Sequence, residues 1–400
     1  MSSEAVSPGR FEFTRHPVLA LGFRPFYLLA AVFAAITLPL WIASYIGIVR
    51  VGGYLHGVAW HSHEMVFGFT TAVIAGFLLT AVRHWTGQPT PTRMWLAGLA
   101  SLWVLARVLA LTGPDSIAAF VDVAFLPVLG LAVAIPILRS NNTKNFKILA
   151  VLGGLTAANV LYHLAYLNIL PAGFTRVAIT AALDVITLLI AIVSGRVIPA
   201  FTANAIAAAK PRLVWGVEAV ALGSLVLVLA AGILNTWYPL PTWAWLRLLA
   251  TAAFAHTIRL ILWEPYHRHR DVMLWMLPVA YAWIPISLTL RAYAQVGTIP
   301  TATAVHALTL GAIGGLMVAM MMRSALGHTG RIVTAGSAEI AVFTFVQLAA
   351  IARVLSSLIS PELYQGAVIV SGILWSLAFM VFVFRYWPIL TRPRVDGRSG

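Results

Sequence analysis

The chain has 400 residues, of which 60% are apolar and only 10% charged, and its mean hydropathy is +0.90. No water-soluble domain of this size has that composition, and the absence of cysteine excludes disulfides, thiolate metal sites, iron–sulfur clusters and covalently attached c-type haem. A net charge of +14 would point to nucleic acid in a soluble protein, but here the charge follows the membrane and carries no nucleic-acid role.

The apolar residues fall in runs of roughly 20, the length a helix needs to cross a ~30 Å hydrocarbon core. They predict an all-α polytopic membrane protein with about twelve transmembrane helices. The spans lie near Phe26–Ile46, Trp60–Val82, Met94–Leu111, Ile117–Leu138, Phe146–Leu167, Phe174–Ile198, Leu213–Ile233, Trp243–Leu262, Met273–Ala292, Thr301–Met322, Ser337–Ile359 and Leu363–Phe384. A transmembrane β-barrel is excluded, because its strands would be half as long and would alternate. Connections such as Gly113-Pro114-Asp115, Ser140-Asn141-Asn142 and Ser360-Pro361-Glu362 are short turns. The expected organisation is a tail over 1–25, one helical domain over 26–385 and a second tail over 386–400. The first apolar run lacks a small-x-small cleavage site and reads as a retained helix.

With the N-terminus in the cytoplasm, the inner loops and tails carry Arg10, Arg15, Arg24, Arg83, Arg93, Arg139, Lys144, Lys147, Arg196, Lys210, Arg212, Arg259, Arg268, Arg270, Arg323, Arg331, Arg385, Arg392, Arg394 and Arg398. The outer ends carry only Arg50, Arg176, Arg247 and Arg291. This positive-inside bias places both termini in the cytoplasm and fits an even number of helices.

Given that direction, the eleven histidines sort by depth. His16, His84, His267, His269 and His328 fall on the cytoplasmic side, where a solvated loop is the plain reading. His61, His63, His163 and His306 fall at outer helix ends, with His56 just before the second span, and His256 sits deeper in the eighth. Imidazoles inside a membrane are expensive, and three helices delivering them to one layer point to a metal or haem site. The plain alternative is that each one hydrogen-bonds a neighbouring helix.

Within Trp60-His61-Ser62-His63-Glu64-Met65, positions 61 and 63 point about 200° apart on a helix, so a single iron cannot readily take both. Two centres on opposite faces can. Glu64 lies one turn from His61 and is expected to orient it through the second ring N–H, or else to sit at the wet boundary at a helix N-terminus.

An internal parallel repeat is also expected. Helices 2 and 3 read His63, Arg83-His84-Trp85-Thr86-Gly87 and Ala106-Arg107-Val108-Leu109; helices 10 and 11 read His306, Arg323, His328-Thr329-Gly330 and Ala352-Arg353-Val354-Leu355. Arg107 and Arg353 would then be paired near the histidine layer. Each needs an anion, either a haem propionate or a carboxylate among Asp122, Asp184 and Glu362. Gly311, Gly314 and Gly315 form a thin face for close helix packing. Met320, Met321 and Met322 lie far from the histidines and read as core or lipid-facing residues rather than copper ligands.

Several of these motifs resemble one family. Gly22-Phe23-Arg24-Pro25-Phe26, Trp60-His61-Ser62-His63-Glu64-Met65, Ala75-Gly76-Phe77-Leu78-Leu79-Thr80-Ala81-Val82, Trp85-Thr86-Gly87, His306-Ala307-Leu308-Thr309 and Leu326-Gly327-His328-Thr329-Gly330-Arg331 are similar to the NnrS family, over about Phe11 to Arg385. The resemblance implies a bacterial inner-membrane protein of twelve spans containing haem and copper, associated with denitrification and with protection from nitric oxide and nitrosative stress. By position, His61, His63, His163, His256 and His306 fall on family histidines and become ligand candidates; His328 matches a loop motif. Where the family pattern often has Leu-His in the ninth span, this chain has Leu277-Pro278, and it has Arg83-His84 where many members have Pro-Asn.

These expectations combine into a redox protein. A haem b, with a second haem or a copper beside it, would bind nitric oxide at the outer histidine layer and reduce it to N2O with electrons from quinol. Glu64 and His61 are the catalytic candidates, with Glu64 or a non-ligand histidine relaying protons. Arg107 and Arg353 would anchor propionates. The competing classes are a secondary transporter, with Asp184 and Glu218 as its polar residues, and a haem protein that senses or sequesters nitric oxide without turnover.

Overall fold

The structure, a computed structural model, describes residues 16–266 and 272–397. Arg10, Arg15, Arg268, Arg270, Arg398, His267 and His269 therefore lie outside the described residues, as do the ends of both tails. Among the described residues there is no strand, and twelve helices are long and apolar enough to cross a membrane. They are α1 (Phe23–Tyr45), α2 (Gly57–Thr86), α3 (Arg93–Thr112), α4 (Asp115–Arg139), α5 (Thr143–Tyr166), α6 (Phe174–Ala205), α7 (Trp215–Leu234), α8 (Thr242–Leu262), α9 (Val272–Gln295), α10 (Thr301–His328), α11 (Ser337–Ile359) and α12 (Tyr364–Thr391). The protein is a multi-pass membrane protein.

Local chemistry sets the helix ends. Pro114, Pro241 and Pro300 stand in extended backbone immediately before α4, α8 and α10, where the fixed φ starts a helix without wasting a backbone donor. α2 stops at Gly87, whose φ of +66° is left-handed, and Gly330 with φ +77° follows α10. Several helices run past the hydropathy boundary at the side that charge places in the cytoplasm. α6 continues to Ala205, α10 to His328 and α12 to Thr391. Hydropathy measures how much chain suits lipid, whereas a helix continues while its backbone bonds are cheapest inside itself. One expectation changes as a result: His328 ends a helix and is not in a loop.

Consecutive helices pack as antiparallel neighbours, and α12 returns to pack on α1. α2 and α10 are the most enclosed, with 83% and 67% of their apolar windows buried, against 22% for α7. Both break their α geometry in the same place. A π-helical stretch occupies Glu64–Thr70 immediately after His63 and another occupies Ala307–Gly314 immediately after His306. Such stretches are rare and often mark functional positions. The thin face of α10 lies within this region. A Cβ on Gly311 would strike the Trp283 ring, one on Gly314 the Trp375 ring, and one on Gly315 Ala280 and Gln347. Met321 and Met322 are fully buried core residues.

Candidate functional site

The π turn at Glu64 puts more residues into each turn, so successive side chains diverge less than on an α-helix. At this junction the His63 and Glu64 side chains meet. His63 Nδ1 lies 3.0 Å from Glu64 Oε1, and Arg107 of α3 donates to the same oxygen at 2.8 Å. Its other terminal nitrogen pairs with Asp122 of α4. On the far side, His163 Nε2 is 2.9 Å and His63 Nε2 3.3 Å from Asp122 Oδ2, which also accepts from Asn159 Nδ2 at 2.8 Å. The rings of His63 and His163 are 4.9 Å apart. His63, Asp122 and His163 each offer one ligand atom within 4.8 Å of the others, and all three are buried.

Counting protons shows what this cluster lacks. Tyr54 lies in the loop ahead of α2, and burial, then the charges of Tyr166 and Asp115, push its hydroxyl above the ordinary phenol range. It therefore stays protonated and can donate to His163 Nδ1, 2.9 Å away. That lets His163 donate from Nε2 to Asp122, so a neutral His163 is satisfied. His63 has no such solution. Its Nδ1 faces the Glu64 carboxylate, while its Nε2 faces Asp122 and, at 3.2 Å, Asn159 Oδ1. A neutral imidazole has one proton, yet both of its sides meet acceptors. Flipping the Asn159 amide only transfers the mismatch to Asp122. The charges agree: Glu64 and Asp122 supply two negatives against the single positive of Arg107, leaving room for one more cation at His63 Nε2, either a proton or a metal ion.

His61 lies on the other face of α2, as the spacing predicted. It stacks on Trp41 of α1 with ring centroids 4.1 Å apart, within electrostatic reach of His306 and Arg353. His306 of α10 donates from Nδ1 to the Ala302 carbonyl at 2.7 Å, which fixes its tautomer and leaves Nε2 with an open lone pair. Metal-ligating histidines are oriented this way. Arg353 of α11 donates to the Tyr364 hydroxyl at 2.6 Å and lies over that ring.

Two sequence expectations are corrected. Glu64 orients His63 rather than His61, its carboxylate lying against the ring of the residue next to it. Arg107 is held by two carboxylates, so the ion-pair alternative with Asp122 describes it and its terminal nitrogens are already engaged. Asp184 pairs instead with Arg291, at 2.7 Å. The other histidines lie elsewhere. His256 has both nitrogens occupied, Nδ1 by Tyr281 at 2.6 Å and Nε2 by the Ala221 carbonyl at 3.1 Å, beside the Arg259–Glu218 pair. His84 and His328 stack with centroids 5.0 Å apart at the C-terminal ends of α2 and α10. Asn159 and Tyr54 were not anticipated. Asn159 had a signal, lying one turn before His163 on α5, whereas Tyr54 sits in a loop with no periodicity.

Comparison with known proteins adds two findings. The family model described as NnrS protein matches residues 17–394. No curated protein matches the chain.

Proposed function

Because the chain belongs to the NnrS family, a nitric-oxide-related group of membrane proteins, we propose that it is a redox protein of the bacterial inner membrane that binds haem and reduces nitric oxide to N2O. In this role it protects the cell from nitrosative stress, with electrons from quinol. The carrying observation is the pair of unlike histidine environments on the two faces of α2. His306, with Nδ1 tied to a backbone carbonyl and Nε2 open, and His61 beside it have the donor chemistry for haem, with Arg353 as the cation nearest its propionates. His63, His163 and Asp122 would hold a metal ion, and copper suits the two imidazoles. The unbalanced charge at His63 Nε2 supports that fit. When bound, these groups supply the site at which nitric oxide is held and reduced.

The chain itself contributes geometry and protons. Ala302 fixes the His306 tautomer, and the Tyr54 hydroxyl, 2.9 Å from His163 Nδ1, would accept the ring proton there once Nε2 is given to a metal. Glu64 and His63 form a buried hydrogen-bonded pair one residue from His61, and reduction of two nitric oxide molecules consumes two protons that this pair would relay. Nitric oxide is small and neutral, so it can enter from lipid without a polar channel.

The test is anaerobic nitric oxide consumption by the purified protein with a quinol donor, with N2O as the measured product. Nitric oxide binding without N2O would favour sensing or sequestration. Absence of a Soret band would remove the haem assignment. A metal at His63 Nε2 replaces one proton, so titration with copper should release about one proton per ion bound.

A further inference from the structure

One large cavity plays no part in the histidine layer. It measures about 690 Å³ and lies among α6, α7, α8, α9 and α10, with Arg176, Thr236 and Gln295 lining the end that charge places outside. From the start of α6, Asp184 lies ten residues down, about 15 Å, which is half the thickness of a ~30 Å hydrocarbon core. The cavity therefore reaches mid-membrane, and its volume is that of a site for an organic molecule.

Its lining narrows the class of ligand. No histidine, methionine or tyrosine lines it, so it offers no axial ligand to a haem. It has one carboxylate, Asp184, already paired with Arg291 through contacts of 2.7 and 3.4 Å, which suits neither a divalent cation nor a free anion. Thr187 and Ser287 spend their hydroxyl protons on the Leu183 and Ile284 carbonyls, so both face the cavity as acceptors. Arg291 is a donor. Leu225, Leu229 and Leu288 add apolar lining. A flat ring bearing two hydroxyls, which become carbonyls on oxidation, meets acceptors in one state and a donor in the other.

The cavity also lies against the proposed redox site. Val305 and Leu308 line it, and His306 stands between them in sequence, directed instead toward Arg353. One helix separates the two.

We propose that this cavity binds a lipid-soluble hydroquinone, with its ring hydroxyls on Asp184, Thr187 and Ser287 and its carbonyl form on Arg291. This rests on the redox function above and identifies where its electron donor binds. Oxidation of one hydroquinone to quinone breaks two O–H bonds and releases two electrons and two protons. Two nitric oxide molecules take up two of each to give N2O and water, so one hydroquinone balances one N2O. The electrons pass across α10, and the protons leave through Asp184 to water at the outer end.

Binding can be measured without turnover. Trp245 lines the cavity, so a decyl-benzoquinone titrated into the full-length protein in detergent should quench tryptophan fluorescence saturably, with a smaller amplitude in Trp245→Phe. Thr187→Val and Ser287→Ala, which remove acceptors while changing little volume, should each weaken binding by about tenfold, and Leu229→Phe should weaken it by narrowing the cavity. Absence of saturable quenching, or affinity unchanged in all three variants, overturns the proposal. The Soret band keeps the two ideas apart. Saturable quenching without a Soret band supports this site and removes the haem assignment; a Soret band without quenching does the reverse.

Discussion

The two faces of α2 carry histidines two residues apart and treat them in opposite ways. On one face, His63 is built into a buried network in which Glu64, Arg107, Asp122, Asn159 and His163 hydrogen-bond one another. On the other, His61 stacks on Trp41 and His306 bonds the Ala302 carbonyl one turn before it, so the two are held by few polar contacts. The first environment is rigid and one positive charge short. The second holds imidazole lone pairs open at little electrostatic cost. A helix that carries these two histidines on opposite faces, with a π stretch directly after them, can serve two centres at once, and the polar network then acts as the frame that holds the looser pair in place.

If that division is right, the largest loss of stability should come from the network. Asp122→Ala removes the acceptor shared by Arg107, His63, His163 and Asn159 and leaves several buried donors unpaired, which costs about 3–5 kcal/mol. The unfolding midpoint in detergent should fall sharply. An unchanged midpoint would mean that the network is not what holds α2, α3, α4 and α5 together.

A smaller effect tests the π turn itself. A Cβ at Gly68 would lie 3.0 Å from Arg107 Nη1 and 3.1 Å from both Glu64 Oε2 and the Phe33 ring. Gly68→Ala should therefore destabilise by about 1–3 kcal/mol through overpacking. Gly98 on α3 provides the control, because a Cβ there meets nothing within 4 Å. Gly98→Ala should be neutral or stabilising by up to about 1 kcal/mol from helix propensity. Equal shifts in both variants would show that the turn tolerates bulk and that Glu64 is not held tightly.

Much of this division was legible in the sequence. The near-opposite directions of His61 and His63 follow from helical geometry, and the histidine layer follows from charge asymmetry. Asp122 stood out as a carboxylate in an apolar run, and Arg107 as a buried cation needing one. The partner of Glu64 was not legible, because an ideal α-helix sends neighbouring side chains about 100° apart and nothing local announces a π turn. Tyr54 was hidden in a loop. The cavity was hidden for another reason: Asp184 and Arg291 lie on helices distant in the chain, so hydropathy records two isolated charges where the fold makes one polar wall.

The smallest expected change in stability comes from the open pair, and it sharpens the comparison most. His306 contributes one side-chain hydrogen bond, to Ala302, and is only partly buried, so His306→Gln should cost less than about 1 kcal/mol. A glutamine cannot replace an imidazole as a haem ligand, so the same variant should lose the Soret band while keeping its unfolding midpoint. His63→Gln should behave differently, lowering the midpoint by removing the link between Glu64 and Asp122 while leaving haem content close to normal. A Soret band that survives in His306→Gln and disappears in His63→Gln would exchange the roles of the two faces: haem would belong to the charged network, and the open pair would be the frame.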